Sequence, residues 1–492
     1  MQEHFDVLIV GAGISGVSAA YHLQTNCPDR TYAILEGRER MGGTWDLFRY
    51  PGIRSDSDMY TLGFSFKPWT EPKSIADGPS ILSYLKETAS EYDIEKHVRY
   101  QQQVVRASWS SEDARWTLEV ESGPEKSLTS VSCNFLHMCS GYYSYKGGYT
   151  PEWKGADQFR GRVVHPQQWT EDIDYEGKQV VVIGSGATAV TLVPELAKKA
   201  ASVTMLQRSP TFVLARPEED ALANWMNDRL PAMLAYGITR WRNVLLGMFF
   251  FWLSRKRPAV VKSRIIDEVR KQLGPDYDVD THFTPRYNPW DQRMCLVPNG
   301  DLFRALRKKQ ATVVTDQIET FTETGIKLQS GAELEADLIV TATGLDLVVL
   351  GEMEVFVDGE RVDPSKTISY KGMMFSDVPN LAASMGYTNA SWTLKCDLTS
   401  EYVCRLLNHM KRKDYQQCTP RRTDPNMKEE PWIDFSSGYV QRSLHKFPKQ
   451  GSKTPWKLHQ NYALDIMSLS YGRIEDGAME FGKVSKGGQA QA

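Results

Sequence analysis

A chain of 492 residues is long enough for two or three domains. Its balance of 41% hydrophobic, 24% charged and 11% aromatic residues is that of an ordinary globular protein, and a net charge of -3 excludes a global basic field for nucleic acid. The seven cysteines (Cys27, Cys133, Cys139, Cys295, Cys396, Cys404, Cys418) are scattered and odd in number with no C-x-x-C pair, which argues against a disulfide framework or a metal site and suits a reducing compartment.

The opening MQEHFDVLIVGAG runs straight into a strand and a glycine loop, leaving no room for a signal peptide and predicting a cytoplasmic protein. Residues 5–10 (FDVLIV) form an apolar run of strand length that ends in GAGISG, followed by the helix-compatible VSAAYHLQ. Strand, glycine turn and helix in that order give the G-x-G-x-x-G pattern its physical meaning. Gly11 permits the tight turn, Gly13 lets the backbone approach a pyrophosphate, and Gly16 allows close helix–sheet packing. The helix start then offers free N–H groups and partial positive charge to the phosphates, and Ser15 can add its hydroxyl or amide. Twenty residues beyond Gly16, the strand at 31–35 ends in Glu36, whose carboxylate can accept both ribose hydroxyls and would repel a 2′-phosphate.

About one domain later the signal recurs: residues 180–183 (VVVI) end in GSGATA and lead into VTLVPELAKKA. Here the loop is Ile183, Gly184, Ser185, Gly186, Ala187, Thr188 and Ala189, the G-x-G-x-x-A variant. The strand at 203–206 ends in Gln207 and Arg208 instead of an acid. The lost carboxylate removes repulsion, and the guanidinium supplies a bidentate partner for a 2′-phosphate, so this second site is expected to take NADPH over NADH. The expected fold is α/β, with two doubly wound, three-layer Rossmann-like domains.

Residues 211–289 turn helical and aromatic without strand alternation and are expected to form a helical insert. Within them, residues 244–253 (VLLGMFFFWL) are apolar except for one glycine, between Arg240, Arg242, Arg255, Lys256 and Arg257. The run is too short to span a bilayer, and runs of this length are usually core, so a helix packed inside the protein or lining a pocket is the expectation. Weak association with a membrane surface is the alternative. Strand-like TVVTDQIETF and DLIVTATG follow, then a tail rich in Trp, Tyr, Pro and Lys, ending in KGGQAQA, which is expected to fray.

Three further stretches carry a family resemblance. GGTWDLFRYPGIRSDSDMY (residues 42–60) resembles a fingerprint of Baeyer–Villiger monooxygenases through Gly42, Gly43, Trp45, Tyr50, Pro51, Gly52 and Asp56; disulfide reductases of this fold would place a cysteine pair here. FRGRVVHPQQWT resembles the family's first fingerprint through Phe159, Gly161, His165 and Trp169, with Thr170 where Pro or Asp is usual. YNPWDQRMCLVPNGDLFRAL (residues 287–306) is similar to the segment that carries the family's active-site arginine, here Arg293, preceded by Gln292 where many relatives have Lys. With GYTNASWTLK, the combination resembles the ethionamide-activating branch.

The resemblance implies FAD at the first site and NADPH at the second. It implies an FAD domain of residues 1–150 and 345–492, an NADPH domain of 151–210 and 290–344, and the insert at 211–289. Thr44, Trp45, Asp46 and Leu47 are then expected to line the flavin, Val104 to meet the adenine through its backbone, and the Arg54–Ser55–Asp56 turn to touch FAD and nicotinamide. In such an enzyme NADPH reduces FAD, O₂ adds to the reduced flavin, and the oxygen adduct attacks a carbonyl. Arg293 is expected to steady the negative charge, with Asp56 holding it by a charge-assisted bond. His165 is expected to act as a linker, and Tyr387 and Trp392 to shape an apolar substrate pocket. Ketones, sulfides or thioamides and O₂ are the implied substrates. The rivals are an N- or S-oxygenating flavin monooxygenase without ketone activity, against which Trp169 and Arg293 argue, and a non-catalytic redox sensor, which would not need Arg293 and Asp56.

Overall fold

The computed structural model describes residues 3–483; the terminal KGGQAQA lies outside them. Two sheets organise the chain. The first is centred on three parallel strands, Glu3–Val10, Tyr32–Leu35 and Ser127–Met138, with Val10 in register with both Leu35 and Met138. The first two read as unbroken apolar runs, VLIV and YAIL, because this part of the sheet is covered on both faces. Gln102–Ser110 and Arg115–Ser122 extend it as an antiparallel meander. The chain returns late to the same sheet: Leu381–Ala383 pairs in parallel with Ser127–Met138, and Glu354–Val357 with Gln102–Ser110. The long helix Trp392–Lys413 then packs on Ile14–Asn26, the helix that follows the first glycine loop.

The second sheet has five parallel strands in the order Ala311–Thr315, Ser202–Gln207, Gln179–Ile183, Leu338–Thr341, Arg162–Val164. The fold is thus α/β with two doubly wound units. Between them the chain crosses twice, outward along Tyr143–Gly148 and back along Leu345–Leu347, and these two segments pair as an antiparallel ribbon.

Residues 211–289 are not purely helical. Val213–Arg216 is a strand that pairs in parallel with Cys295–Pro298, and only then come the helices Ala221–Asn227, Ala232–Lys256, Pro258–Leu273 and Val279–Phe283. The apolar run at 244–253 also departs from expectation. It belongs to a single 25-residue helix whose inner positions, such as Val244, are buried while Leu245, Leu246, Phe249 and Trp252 face outward. No helix among the described residues is long and apolar enough to cross a membrane.

Candidate active site

The first glycine loop is glycine by necessity. Gly11 has φ +104°, and a Cβ there would sit 2.6 Å from the Cys139 carbonyl oxygen; one on Gly16 would sit 1.9 Å from the Gly11 carbonyl oxygen. Gly13 caps the following helix and faces Gly43 across the loop, so two bare backbones form the floor of a cleft of about 770 Å³. This size falls within the range of small-molecule sites. Gly11, Gly13, Ser15, Glu36, Thr44, Trp45, Arg54, Ser55, Asp56 and Val104 all line it. Glu36 is buried and accepts backbone N–H groups from Ala12 (2.8 Å) and Arg38 (2.9 Å). Burial raises its pKa even so, and each oxygen keeps a lone pair for a further donor. The Ser15 hydroxyl is already engaged: it accepts from the Trp392 indole at 2.8 Å and lies 3.3 Å from Cys396 Sγ.

Two expected flavin neighbours turn elsewhere. Asp46 is absent from the cleft wall and buried against three arginines, Arg38 (2.9 Å), Arg40 (3.2 Å) and Arg49 (3.0 Å), which supply the countercharge a buried carboxylate needs. Leu47 packs on the core of the second unit, together with Phe48 and Tyr50. The segment thus clamps one lobe to the other.

The second loop meets the cleft only through Ala187 and Thr188, with Thr191 one turn on. Gly184 has φ +138°, and a Cβ on it would lie 2.3 Å from the Ala342 carbonyl oxygen; a Cβ on Gly186 would meet nothing within 4 Å, so open space lies over the helix start. Ile183 and Ala189 are buried in packing, and the Ser185 hydroxyl donates to the Ser209 carbonyl. Gln207 is turned inward, its amide N–H donating to the His282 carbonyl and Thr315 Oγ1, and it does not reach a ligand with that group. Arg208, at the end of the same strand, is exposed and pairs with no carboxylate among the described residues.

Arg293 and Asp56 both line the cleft, yet no hydrogen bond or ion pair joins them among the described residues. The charge-assisted bond expected between them is therefore replaced by a through-space field. Burial raises the Asp56 pKa, with Arg293 and Arg54 pulling it back. Arg54 is committed to Asp301, at 2.6 Å, leaving its Nε and Nη2 buried and without a partner. Two orphaned donors in the cleft wall are what an anionic or polar ligand would satisfy. Burial works against the charge on Arg293, but Tyr142, Tyr439, Tyr143 and Asp56 more than offset it and hold its pKa above the ordinary arginine value.

Arg293, Tyr142 and Trp392 line a second cavity as well, deeper in the protein, of about 50 Å³. That is room for a few water-sized groups, so a larger substrate must displace side chains. Its walls are largely apolar (Leu347, Met385, Phe435, Val440), broken by Arg293 and by a polar group at Tyr387, Lys395 and Asp465. There the Tyr387 hydroxyl donates to Asp465 Oδ2 at 2.6 Å and Lys395 Nζ donates to the same oxygen at 2.8 Å. Lys395, Asp465, Tyr142 and Tyr439 had no sequence signal of their own.

His165 does not reach either cavity. Its Nε2 donates to the Gly344 carbonyl at 3.1 Å while Nδ1 accepts from the Gln167 amide, and Gln167 in turn donates to the Ser144 carbonyl at 2.7 Å. Burial lowers its pKa, so the ring is neutral and fastens both strands of the crossing ribbon.

Residues 64–256 match the family described as flavin-binding monooxygenase-like, and residues 9–71 match the NAD(P)-binding Rossmann-like domain. The FAD-containing monooxygenase EthA of Mycobacterium tuberculosis is 54% identical over 484 residues, covering 98% of this chain and 99% of that protein. The probable FAD-binding monooxygenase AlmA of Acinetobacter baylyi is 48% identical, with 98% and 97% covered. Among solved structures, an oxidized steroid monooxygenase bound to NADP aligns with a TM-score of 0.75 at 21% identity, and an open form of cyclohexanone monooxygenase with 0.75 at 20%; each alignment covers 98% of this chain and 100% of the other. Those two likenesses speak to the fold, whereas the full-length identity to EthA goes further: the chain belongs to the family of FAD-containing monooxygenases that includes EthA.

Proposed function

We propose that this protein is an FAD- and NADPH-dependent Baeyer–Villiger monooxygenase that inserts one oxygen atom of O₂ into ketones to give esters or lactones, and oxygenates sulfides and thioamides at sulfur. The observation that carries this reading is the position of Arg293, the fixed cation shared by the nucleotide cleft and the inner cavity. The balanced reaction is ketone, O₂, NADPH and a proton giving ester, water and NADP⁺.

FAD suits the glycine-floored cleft. Ala12 and Arg38 hold the Glu36 carboxylate, and the helix start at Gly13 and Ser15 would receive the phosphates. NADPH suits the other side, with its 2′-phosphate toward the unpaired Arg208 and the orphaned Arg54 donors within the cleft. Residues 1–150 and 345–492 would form the FAD domain, 151–210 and 290–344 the NADPH domain, and 211–289 the insert between them. When bound, FAD would supply the hydride-accepting and oxygen-activating chemistry, with NADPH as the reductant.

The chain's own part is electrostatic. Arg293 is ionised at any working pH and is held among phenols, so it can stabilise negative charge that develops on oxygen at the junction of the two cavities. Asp56 balances it through space without an ion pair, so Arg293, hydrogen-bonded to Tyr439, keeps donors that no carboxylate takes. Trp392 and Tyr142 stack at 4.9 Å and, like Arg293, line both the cleft and the cavity.

The test is a panel of ketones and sulfides supplied with NADPH and O₂, the products identified by mass spectrometry. Esters one oxygen heavier than the ketone are expected, and Arg293→Ala should lower their formation by about 10²–10³. Sulfoxides without any ester would favour the N- or S-oxygenating alternative. NADPH consumption that yields only hydrogen peroxide, or a parental ester rate in the Arg293 variant, would overturn the proposal.

A further inference from the structure

The outer face of the helix Ala232–Lys256 is apolar over almost its whole length. Leu234, Ile238, Trp241, Leu245, Phe249 and Trp252 recur at intervals of three and four and form one stripe about 27 Å long, at 1.5 Å per residue. They are not grazing contacts with solvent: Leu245 is 57%, Phe249 58% and Trp252 54% exposed. The stripe widens at both sides. Trp225 lies exposed on the preceding helix, and Tyr462, whose ring is 5.7 Å from that of Trp241, brings alongside it a segment bearing exposed Met467 and Tyr471. A contiguous apolar surface of this extent marks an interaction site.

Charge says what covers it. Between residues 221 and 265 the sequence holds eight basic residues and a single acid, Asp228, in a chain whose net charge is -3. Arg240 is buried, Arg242 pairs with Asp220, Lys262 donates to backbone carbonyls, and Arg255 pairs with Asp291. Arg229, Lys256, Arg257 and Arg264 are exposed and pair with no carboxylate among the described residues. Arg229 sits before one end of the stripe, and Lys256 continues it at the other, four residues past Trp252. A two-fold pairing of this face with a second copy would bring basic end against basic end in either orientation of the helices. An anionic lipid surface meets both features at once: its headgroups take the unpaired cations, and its acyl boundary takes the tryptophans and phenylalanine.

We propose that this face docks on an anionic phospholipid surface, with the helix lying in the plane of the interface. The opposite side of the same helix supports the placement. Val244 packs with Tyr387, which lines the inner cavity, so the helix that bears the docked face stands behind one residue of the cavity wall.

The experiment is co-sedimentation of the FAD-loaded full chain with phosphatidylglycerol vesicles and with phosphatidylcholine vesicles, at low and high salt, beside sedimentation velocity without lipid. The parent is expected to pellet with phosphatidylglycerol, less with phosphatidylcholine, and to be released in part by salt. The double variant Phe249→Glu/Trp252→Glu should lose vesicle binding by about a hundredfold or more, as expected for two large side chains kept from apolar burial. The pair Lys256→Glu/Arg257→Glu should lose the preference for phosphatidylglycerol. Both variants should keep the parental FAD content, melting temperature and NADPH oxidation. A parent that stays in the supernatant with every vesicle would overturn the proposal. So would a parental dimer that the Phe249/Trp252 variant turns into a monomer while neither form binds lipid, since the face would then serve self-association.

Discussion

Trp392 donates its indole N–H to Ser15 Oγ at 2.8 Å, tying a side chain of the inner cavity to the helix that opens at the first glycine loop. The Cys396 thiol shares the same hydroxyl, so the start of the helix Trp392–Lys413 is fastened to the nucleotide loop by two side chains one turn apart.

Replacing Trp392 by Phe keeps an aromatic ring against Tyr142 but removes the donor. The expected loss is about 1 kcal/mol of stability, the ordinary net value of one such bond, with FAD still retained because the Ser15 amide is untouched. Urea denaturation and the flavin absorbance of the purified variant measure the two sides of this expectation.

Arg208 offers a cleaner separation of binding from chemistry. With no carboxylate partner among the described residues, Arg208→Ala should cost little stability. The Michaelis constant for NADPH should rise about 10- to 100-fold, the equivalent of 1.5–3 kcal/mol for a hydrogen bond to a charged group, while the constant for NADH stays close to parental. Steady-state kinetics with both nucleotides decides it, and a parallel loss with NADH would count against a 2′-phosphate role.

Asp56 gives a pH signature. Burial raises its pKa above that of the unfolded chain. A carboxyl shifted in this direction contributes stability that is complete below its unfolded pKa, about 3.9, and is lost as pH rises through the higher folded value. Asp56→Asn removes that loss. The stability advantage of the variant over the parent apoprotein should therefore be absent near pH 3.5 and grow toward neutrality, while turnover falls because Arg293 loses its opposing charge. Unfolding curves collected from acid to neutral pH would refute this if the two proteins differed by a constant amount.

The pair Lys395–Asp465 is buried on both sides, with side-chain exposures of 6% and 8%. Lys395→Met leaves a carboxylate in the cavity with only the Tyr387 hydroxyl, and about 3–5 kcal/mol of stability should be lost. Lys395→Met/Asp465→Asn should recover most of it, because the amide oxygen can still accept from Tyr387. Chemical denaturation of parent, single and double variants completes the cycle.

What was legible in the sequence is what local backbone geometry dictates. The turns at Gly11 and Gly184 need positive φ and bare Cα atoms within a few residues, so spacing alone exposes them. Asp46 was visible only as a neighbour of Trp45 in a motif; its commitment to Arg38, Arg40 and Arg49 depends on which way a four-residue helix turns. Lys395 and Asp465 lie 70 residues apart and meet through tertiary packing, which no periodicity encodes. The run at 244–253 misled because it is apolar at nearly every position. Composition then gives no clue to which side is covered, and only the packing of Val244 and Met248 on their neighbours reveals it.

The crossing ribbon has a mechanical consequence. Had the strands Tyr143–Gly148 and Leu345–Leu347 run separately, the two lobes could shear and twist against each other; paired, and clasped by His165 and Gln167, they behave as one pivot pin. Any rocking about that pin would carry Ala187 and Thr188 toward or away from the floor at Gly13 and Gly43, and would have to part Arg54 from Asp301, which ties the same two lobes.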